Sequence, residues 1–215
     1  NIANYSNTPA AMRGFEYLED LGKMGYYNSD YASALFTEGI AMLANGEGAH
    51  FPMLSAGIST VLEVVPEKIN DVGFFAQPGN NAATNGLTVW MPSAAYIPVT
   101  TTGAKLDAAK LFQAFIVSDA GIQAMIDTNG QTGPFLTKDA PTAGELYPGY
   151  VDMFTYFERE GGTSPALEFV SAVKGPSLPQ IVVATGIGQY TAEEAAAIYD
   201  EDIKKQAQQL GLPGW

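Results

Sequence analysis

The chain has 215 residues, 47% of them hydrophobic, which suffices for a sizeable core and argues against disorder. Its 23 acidic against 10 basic residues give a formal net charge of −13, a balance that disfavours nucleic-acid phosphates and anionic membrane surfaces as partners. It contains no cysteine, so disulfides and thiolate metal sites are excluded.

Asn1 to Ser6 has neither the basic start nor the apolar run of a signal peptide, so the expectation is that export has removed one or that the chain is a piece of something longer. Thr8-Pro9 predicts a helix start, with Met12, Phe15, Leu18 and Leu21 on one face and Gly22 and Gly25 as stops. Asp30 is the expected N-cap of a second helix that carries Ala34, Leu35 and Phe36 inward and ends at Gly39. A short strand, Ile40 to Ala44, follows. The polar glycine turn Asn45, Gly46, Glu47, Gly48 then leads into a helix from His50 to Val65, which Pro66 stops. Glycines before a helix let a ligand come close to the backbone, and the N–H groups of a first helical turn are ready donors. On this reading the turn lines a sugar-sized cleft.

Val72 to Ala76 reads as a buried strand of a mainly parallel sheet, and residues 79–86 as a loop. Leu87 to Met91 and Ala94 to Val99 are rich in strand formers and separated by Pro92-Ser93, the pattern of a strand that leaves one sheet for another and a candidate hinge. Lys105 to Val117 predicts an amphipathic helix, and Ser118 caps another that ends at Asn129-Gly130. Residues 131–134 break the chain. Helices are expected over Val151 to Arg159, from Ser164-Pro165, and over Leu178 to Thr185. Thr191 with Glu194 forms a capping box ahead of a last helix with Ala195, Tyr199, Ile203 and Leu210 on one stripe. The longest charge-free run, Gly175 to Ala192, is broken by prolines and glycines and does not read as a membrane span. Interspersed strands and helices without repeats give an α/β class.

Several motifs in this order form a pattern. Phe36-x-x-Gly39-x-Ala41-Met42-x-x-Asn45-Gly46 is followed by Val72 to Gly79, by Ala108-Ala109-Lys110-Leu111-Phe112 with Ser118-Asp119-Ala120-Gly121, and by Gly130 to Pro134. Thr191 to Ala195 and the run Leu210 to Trp215 close the series. Together they resemble the extracellular solute-binding proteins of ABC importers, the maltose-binding-protein-like sugar binders. The resemblance implies a periplasmic-binding-protein type II, or Venus-flytrap, fold whose cleft closes on a carbohydrate and delivers it to a membrane permease. It also implies a C-terminal portion of a longer protein. Residues 1–86 would be the first part of the C-terminal lobe, 87–138 a segment of the N-terminal lobe with the hinge, and 139–215 the helical end of the C-terminal lobe. A portion of this kind should carry bare apolar surface between Val89 and Phe135. The implied place is outside the cell or in the periplasm, as a monomeric lipoprotein anchored through a missing N-terminus.

Sugars present apolar C–H faces and a rim of hydroxyls, so their sites combine flat aromatic surfaces with fixed hydrogen-bonding groups. The family's stacking tryptophan falls here on Gly48, with His50 and Phe51 close behind. Asn45 and Glu47 are candidate hydroxyl partners, Trp90 on the hinge strand a candidate contact from both lobes, and Tyr150 a candidate from a proline-glycine loop. Each has an ordinary structural alternative: turn shaping for Asn45 and Glu47, a capped or core imidazole for His50, interdomain packing for Trp90. No nucleophile elbow, H-E-x-x-H, Walker loop or G-x-G-x-x-G is present. The expectation is a binder without catalysis, metal or cofactor. Alternatives are a binder of another polar solute, such as a polyol or small peptide, and a carbohydrate-active enzyme.

Overall fold

The structure is a computed structural model that describes residues 1–90, 94–131, 133–135, 137–166, 169, 171 and 173–215. It is 53% helix and 3% sheet, a mixed class dominated by helices. The helices are α1 (Pro9–Lys23), α2 (Phe36–Ala44), α3 (Ala56–Val64), α4 (Gly103–Ile116), α5 (Asp119–Asn129), α6 (Pro148–Glu158), α7 (Leu178–Gly186) and α8 (Ala192–Gln209). Strands β1 (Leu87–Val89) and β2 (Thr163–Pro165) form a two-stranded parallel sheet in which Leu87 faces Thr163 and Val89 faces Pro165. The chain divides into two units. The first joins 1–34 to 166–215, and the second is the continuous stretch 35–165.

In the first unit α8 begins as its sequence dictates. The Thr191 hydroxyl accepts the Glu194 amide proton at 3.2 Å, and the Glu194 carboxylate accepts that of Thr191 at 3.0 Å, so two orphan donors of the first turn are satisfied. Ala195, Tyr199 and Ile203 of α8 pack with Phe15 of α1 and Ile181 of α7 in one core. Asp200 ties the N-terminal segment to α8 by accepting from the Tyr5 amide (2.7 Å), the Ser6 amide (3.0 Å) and the Ser6 hydroxyl (2.6 Å). Helices α1 and α7 touch backbone to backbone, since a Cβ on Gly22 would lie 2.2 Å from the Gly186 carbonyl oxygen. The helix expected from Asp30 does not form. Asp30 instead accepts the amides of Ser33 and Ala34 in a turn, and the helix starts at Phe36.

The core of the second unit gathers Ile40 and Ala44 of α2, Ile58 and Val61 of α3, and Tyr150 and Met153 of α6. The expected strand Ile40 to Ala44 is therefore the second half of α2, and α3 starts at Ala56 rather than His50. The run Val72 to Ala76 is extended but pairs with no described strand. Its backbone donors go to side chains of α6, Phe74 to Asp152 at 2.9 Å and Ala76 to the Tyr156 hydroxyl at 3.0 Å. Ser164-Pro165 starts no helix and lies in β2. Residues 94–99 are irregular, and the Pro92-Ser93 break and Thr132 lie outside the described residues.

Helix α5 begins at the Ser118 cap, whose hydroxyl accepts the Gly121 amide at 3.3 Å. Helix α4 has two apolar sides. Leu106, Ala109 and Ile116 are half-buried on one, whereas Leu111, Phe112 and Phe115 stand on the other with Leu111 72% and Phe112 62% exposed. No described helix is long and apolar enough to cross a membrane.

Candidate functional site

The glycine turn closes α2 rather than opening the next helix. Asn45 is the C-cap, and Gly46 follows in the left-handed region at φ 79°. The Gly46 amide donates to Leu43 at 3.0 Å and the Glu47 amide to Met42 at 2.9 Å. These are the two bonds of a Schellman closure. The amides of Gly46 and Glu47 are thus spent on the last carbonyls of α2, and the following helix, whose first-turn N–H groups were expected to face a ligand, starts only at Ala56. The local dipole is the negative end of α2, which favours groups that donate protons or carry positive charge.

Beyond this closure the chain runs without regular structure to Ser55 and carries two aromatic contacts. Phe51 stacks on Phe36 with centroids 6.1 Å apart and planes 26° from parallel. Its ring lies across Gly39, where a Cβ would stand 3.0 Å from the phenyl tip, so glycine at this position makes room for the ring. His50 meets Phe75 edge to face at 5.5 Å and 86°. Phe36, Phe51 and Phe75 all keep exposed ring surface, and together with His50 they form two aromatic pairs on adjoining residues of one loop. A separation of 6.1 Å leaves no room for a ring between Phe36 and Phe51, so any stacked guest lies over the pair.

Of the residues singled out from sequence, His50 and Phe51 belong to these pairs. Asn45 and Glu47 are exposed, and Gly48 has open space where a Cβ would be. Trp90 follows β1 and is partly exposed at 36%. Tyr150 is corrected in place: it lies in the first turn of α6, is 1% exposed, and packs with Ile40 and Ala44 beneath α2. Burial pushes its phenol up to about 12, with the Ser59 hydroxyl acting in the opposite sense. The Tyr150 hydroxyl has no hydrogen-bond partner of good geometry among the described residues.

Phe36 and Phe75 are the members sequence reasoning missed. For Phe75 no signal was available, since Val72 to Ala76 is an apolar run in which nothing separates Phe75 from Phe74; the structure leaves Phe74 half-buried and Phe75 exposed. For Phe36 the signal was the glycine three residues on, which exposes a flat patch of helix beside the ring. No protein-family model matches the chain, and a comparison with curated proteins gives no match.

Proposed function

We propose that the chain is the C-terminal portion of a solute-binding protein that holds a carbohydrate outside the membrane and passes it to an ABC permease. The observation that carries this reading is the exposed aromatic surface of Phe36, Phe51, His50 and Phe75, a few residues from the hydrogen-bonding side chains of Asn45 and Glu47. Such a surface suits the C–H face of a sugar, while the neighbouring amide and carboxylate suit its hydroxyls. Further support comes from α4. A helix apolar on two sides is the pattern of a helix covered on both, which fits the packing of a second lobe against Leu111, Phe112 and Phe115. In this proposal the protein is an anchored lipoprotein with a Venus-flytrap fold, and hinge closure follows binding because both lobes touch the guest only when closed.

The test is thermal unfolding of the protein and of Phe51→Ala against a panel of mono- and oligosaccharides. A binder at a concentration of about 100 Kd gains about 2.7 kcal/mol, which for a chain of this size raises Tm by roughly 5–10 °C. Phe51→Ala should lose most of that rise, and the sugar should be recovered unchanged. If no sugar raises Tm, or if the sugar is cleaved, the proposal is wrong.

A further inference from the structure

The dipeptide Asn-Gly occurs three times, at Asn45-Gly46, Asn85-Gly86 and Asn129-Gly130. It carries a chemistry of its own, because a glycine nitrogen has no neighbouring side chain to shield it and can attack the carboxamide carbon of the asparagine before it. The attack needs an asparagine side chain free to swing toward that nitrogen, a glycine N–H released from its own hydrogen bond, and room for a five-membered ring. The three pairs meet these needs unequally.

Asn85 is held on every side. Its side-chain oxygen accepts the Gly79 amide at 2.9 Å, its Nδ2 donates to Ala76 at 3.5 Å, and its carbonyl accepts from Arg159. A Cβ on Gly86 would lie 2.6 Å from the Gly162 oxygen, so the backbone there has no room to turn. Asn129 ends α5 and is exposed, but the chain beyond it is clamped. The Gly130 amide donates to Ile126 at 2.8 Å, and the next residue, Gln131, is buried and bonded at both ends of its amide, to Gly133 and Ala143. Freeing Gly130 therefore means uprooting a buried side chain.

Asn45 has no such restraint. Its side chain makes no hydrogen bond among the described residues, Asn45, Gly46 and Glu47 are all exposed, and a Cβ on Gly46 or Gly48 would meet nothing within 4 Å. The one bond in the way runs from the Gly46 amide to Leu43 at 3.0 Å. It belongs to the last turn of a helix of nine residues, followed by chain without regular structure to Ser55. A helix end of this kind opens by fraying, at small cost and without disturbing the core.

We propose that Asn45 is a site of spontaneous modification, at which the turn closing α2 converts its own asparagine to an acid. In the frayed state the Gly46 nitrogen gives its proton to hydroxide and bonds to Asn45 Cγ. The Cγ–Nδ2 bond breaks, and Nδ2 takes a proton from water and leaves as ammonia. Water then adds to either carbonyl carbon of the ring and opens it, to aspartate or to isoaspartate, in which the main chain runs through Cβ and Cγ. Either product sets a carboxylate at the negative end of the α2 dipole. Isoaspartate also lengthens the main chain by a methylene, which moves the Gly46 and Glu47 amides away from the carbonyls of Leu43 and Met42. The closure of α2 is thus lost with age, a few residues before His50 and Phe51.

Trypsin separates the three pairs, since cleavage at Lys23, Lys68, Lys105, Lys110 and Lys138 puts them in the peptides 24–68, 69–105 and 111–138. The full chain is held for weeks at mildly alkaline pH, folded or in urea, and conversion of each peptide from amide to acid is followed by mass spectrometry. In the folded chain Asn45 should convert at least about tenfold faster than Asn85 and Asn129, the difference between a frayed and a clamped backbone. In urea the three rates should converge. Amide hydrogen exchange of the converted fraction, separated by its added charge, should be faster at Gly46 and Glu47 than in fresh protein. No conversion at Asn45, equal or faster conversion at either other pair in the folded chain, or the same ranking in urea overturns the proposal. Unchanged exchange in the converted fraction overturns the loss of the closure.

Discussion

Replacing Tyr150 by phenylalanine asks whether this residue serves the core or a ligand. Its ring is buried among Ile40, Ala44 and Met153, and its hydroxyl is buried without a well-placed partner among the described residues. A hydroxyl buried in this way costs about 1–3 kcal/mol, so Tyr150→Phe should leave neutral-pH stability unchanged or raise it by about 1 kcal/mol. The alkaline limb is sharper. The phenol ionises near 10 in the unfolded chain and is pushed up to about 12 in the folded one. Between these values the unfolded state has given up its proton while the native state keeps it, so stability is fully present below pH 10 and falls as pH rises through the window. Two units at about 1.4 kcal/mol each make a loss of about 2–3 kcal/mol, which the variant cannot suffer. Urea unfolding followed by circular dichroism from pH 7 to 12, on both proteins at equal m-value, reads the difference directly. Parallel pH profiles, or a neutral-pH destabilisation above about 1 kcal/mol, would refute the reasoning. Loss of sugar-dependent stabilisation in Tyr150→Phe would return the residue to the binding surface.

Three further substitutions test the backbone. Gly22→Ala puts a methyl 2.2 Å from the Gly186 oxygen and should cost about 1–3 kcal/mol by forcing α1 and α7 apart. Gly14→Ala on the same helix meets nothing within 4 Å and should stabilise by about 0.5–1 kcal/mol; urea midpoints of the two variants should move in opposite directions. Gly46→Ala must take φ 79° and should cost about 1 kcal/mol or more by fraying the end of α2. Amide hydrogen exchange should locate that fraying at Gly46 and Glu47.

Where local chemistry decided the structure, the sequence was legible. The Thr191–Glu194 box, the Ser118 cap and the stop at Pro66 lie where they were read, because each is settled within a few residues. The misreadings have several causes. Five apolar residues from Ile40 to Ala44 do not separate strand from helix by periodicity, and here the core beneath them chose helix. Asn45 to Gly48 were placed before a helix because the next one was expected to begin at His50 rather than Ala56, so a closure was read as an entrance. Tyr150 was given to a loop because of Pro148-Gly149, although proline at a first helical position is itself a start signal. Residues 72–76 read as a strand because they are a short apolar run, but their partners are the side chains of Asp152 and Tyr156, more than seventy positions away. Ser164-Pro165 reads locally as a helix start and is extended because of β1, a partner no short window contains. Of the candidate site, His50 and Phe51 were legible from their place after the turn, whereas Phe36 and Phe75 required knowing which rings meet in space.

The first unit is assembled from two stretches of chain with the whole of the second unit interposed. Bringing α1 against α7 and α8 therefore means closing a very long loop, and the entropy of that closure depends on how slack the interposed chain is. Once residues 35–165 have collapsed, the tether is short and the search is small. The order of assembly is thereby biased, continuous stretch first and discontinuous bundle second. A lesion deep in the former, such as Val61→Ala, should then slow refolding of the latter, even though no residue of the bundle has been altered.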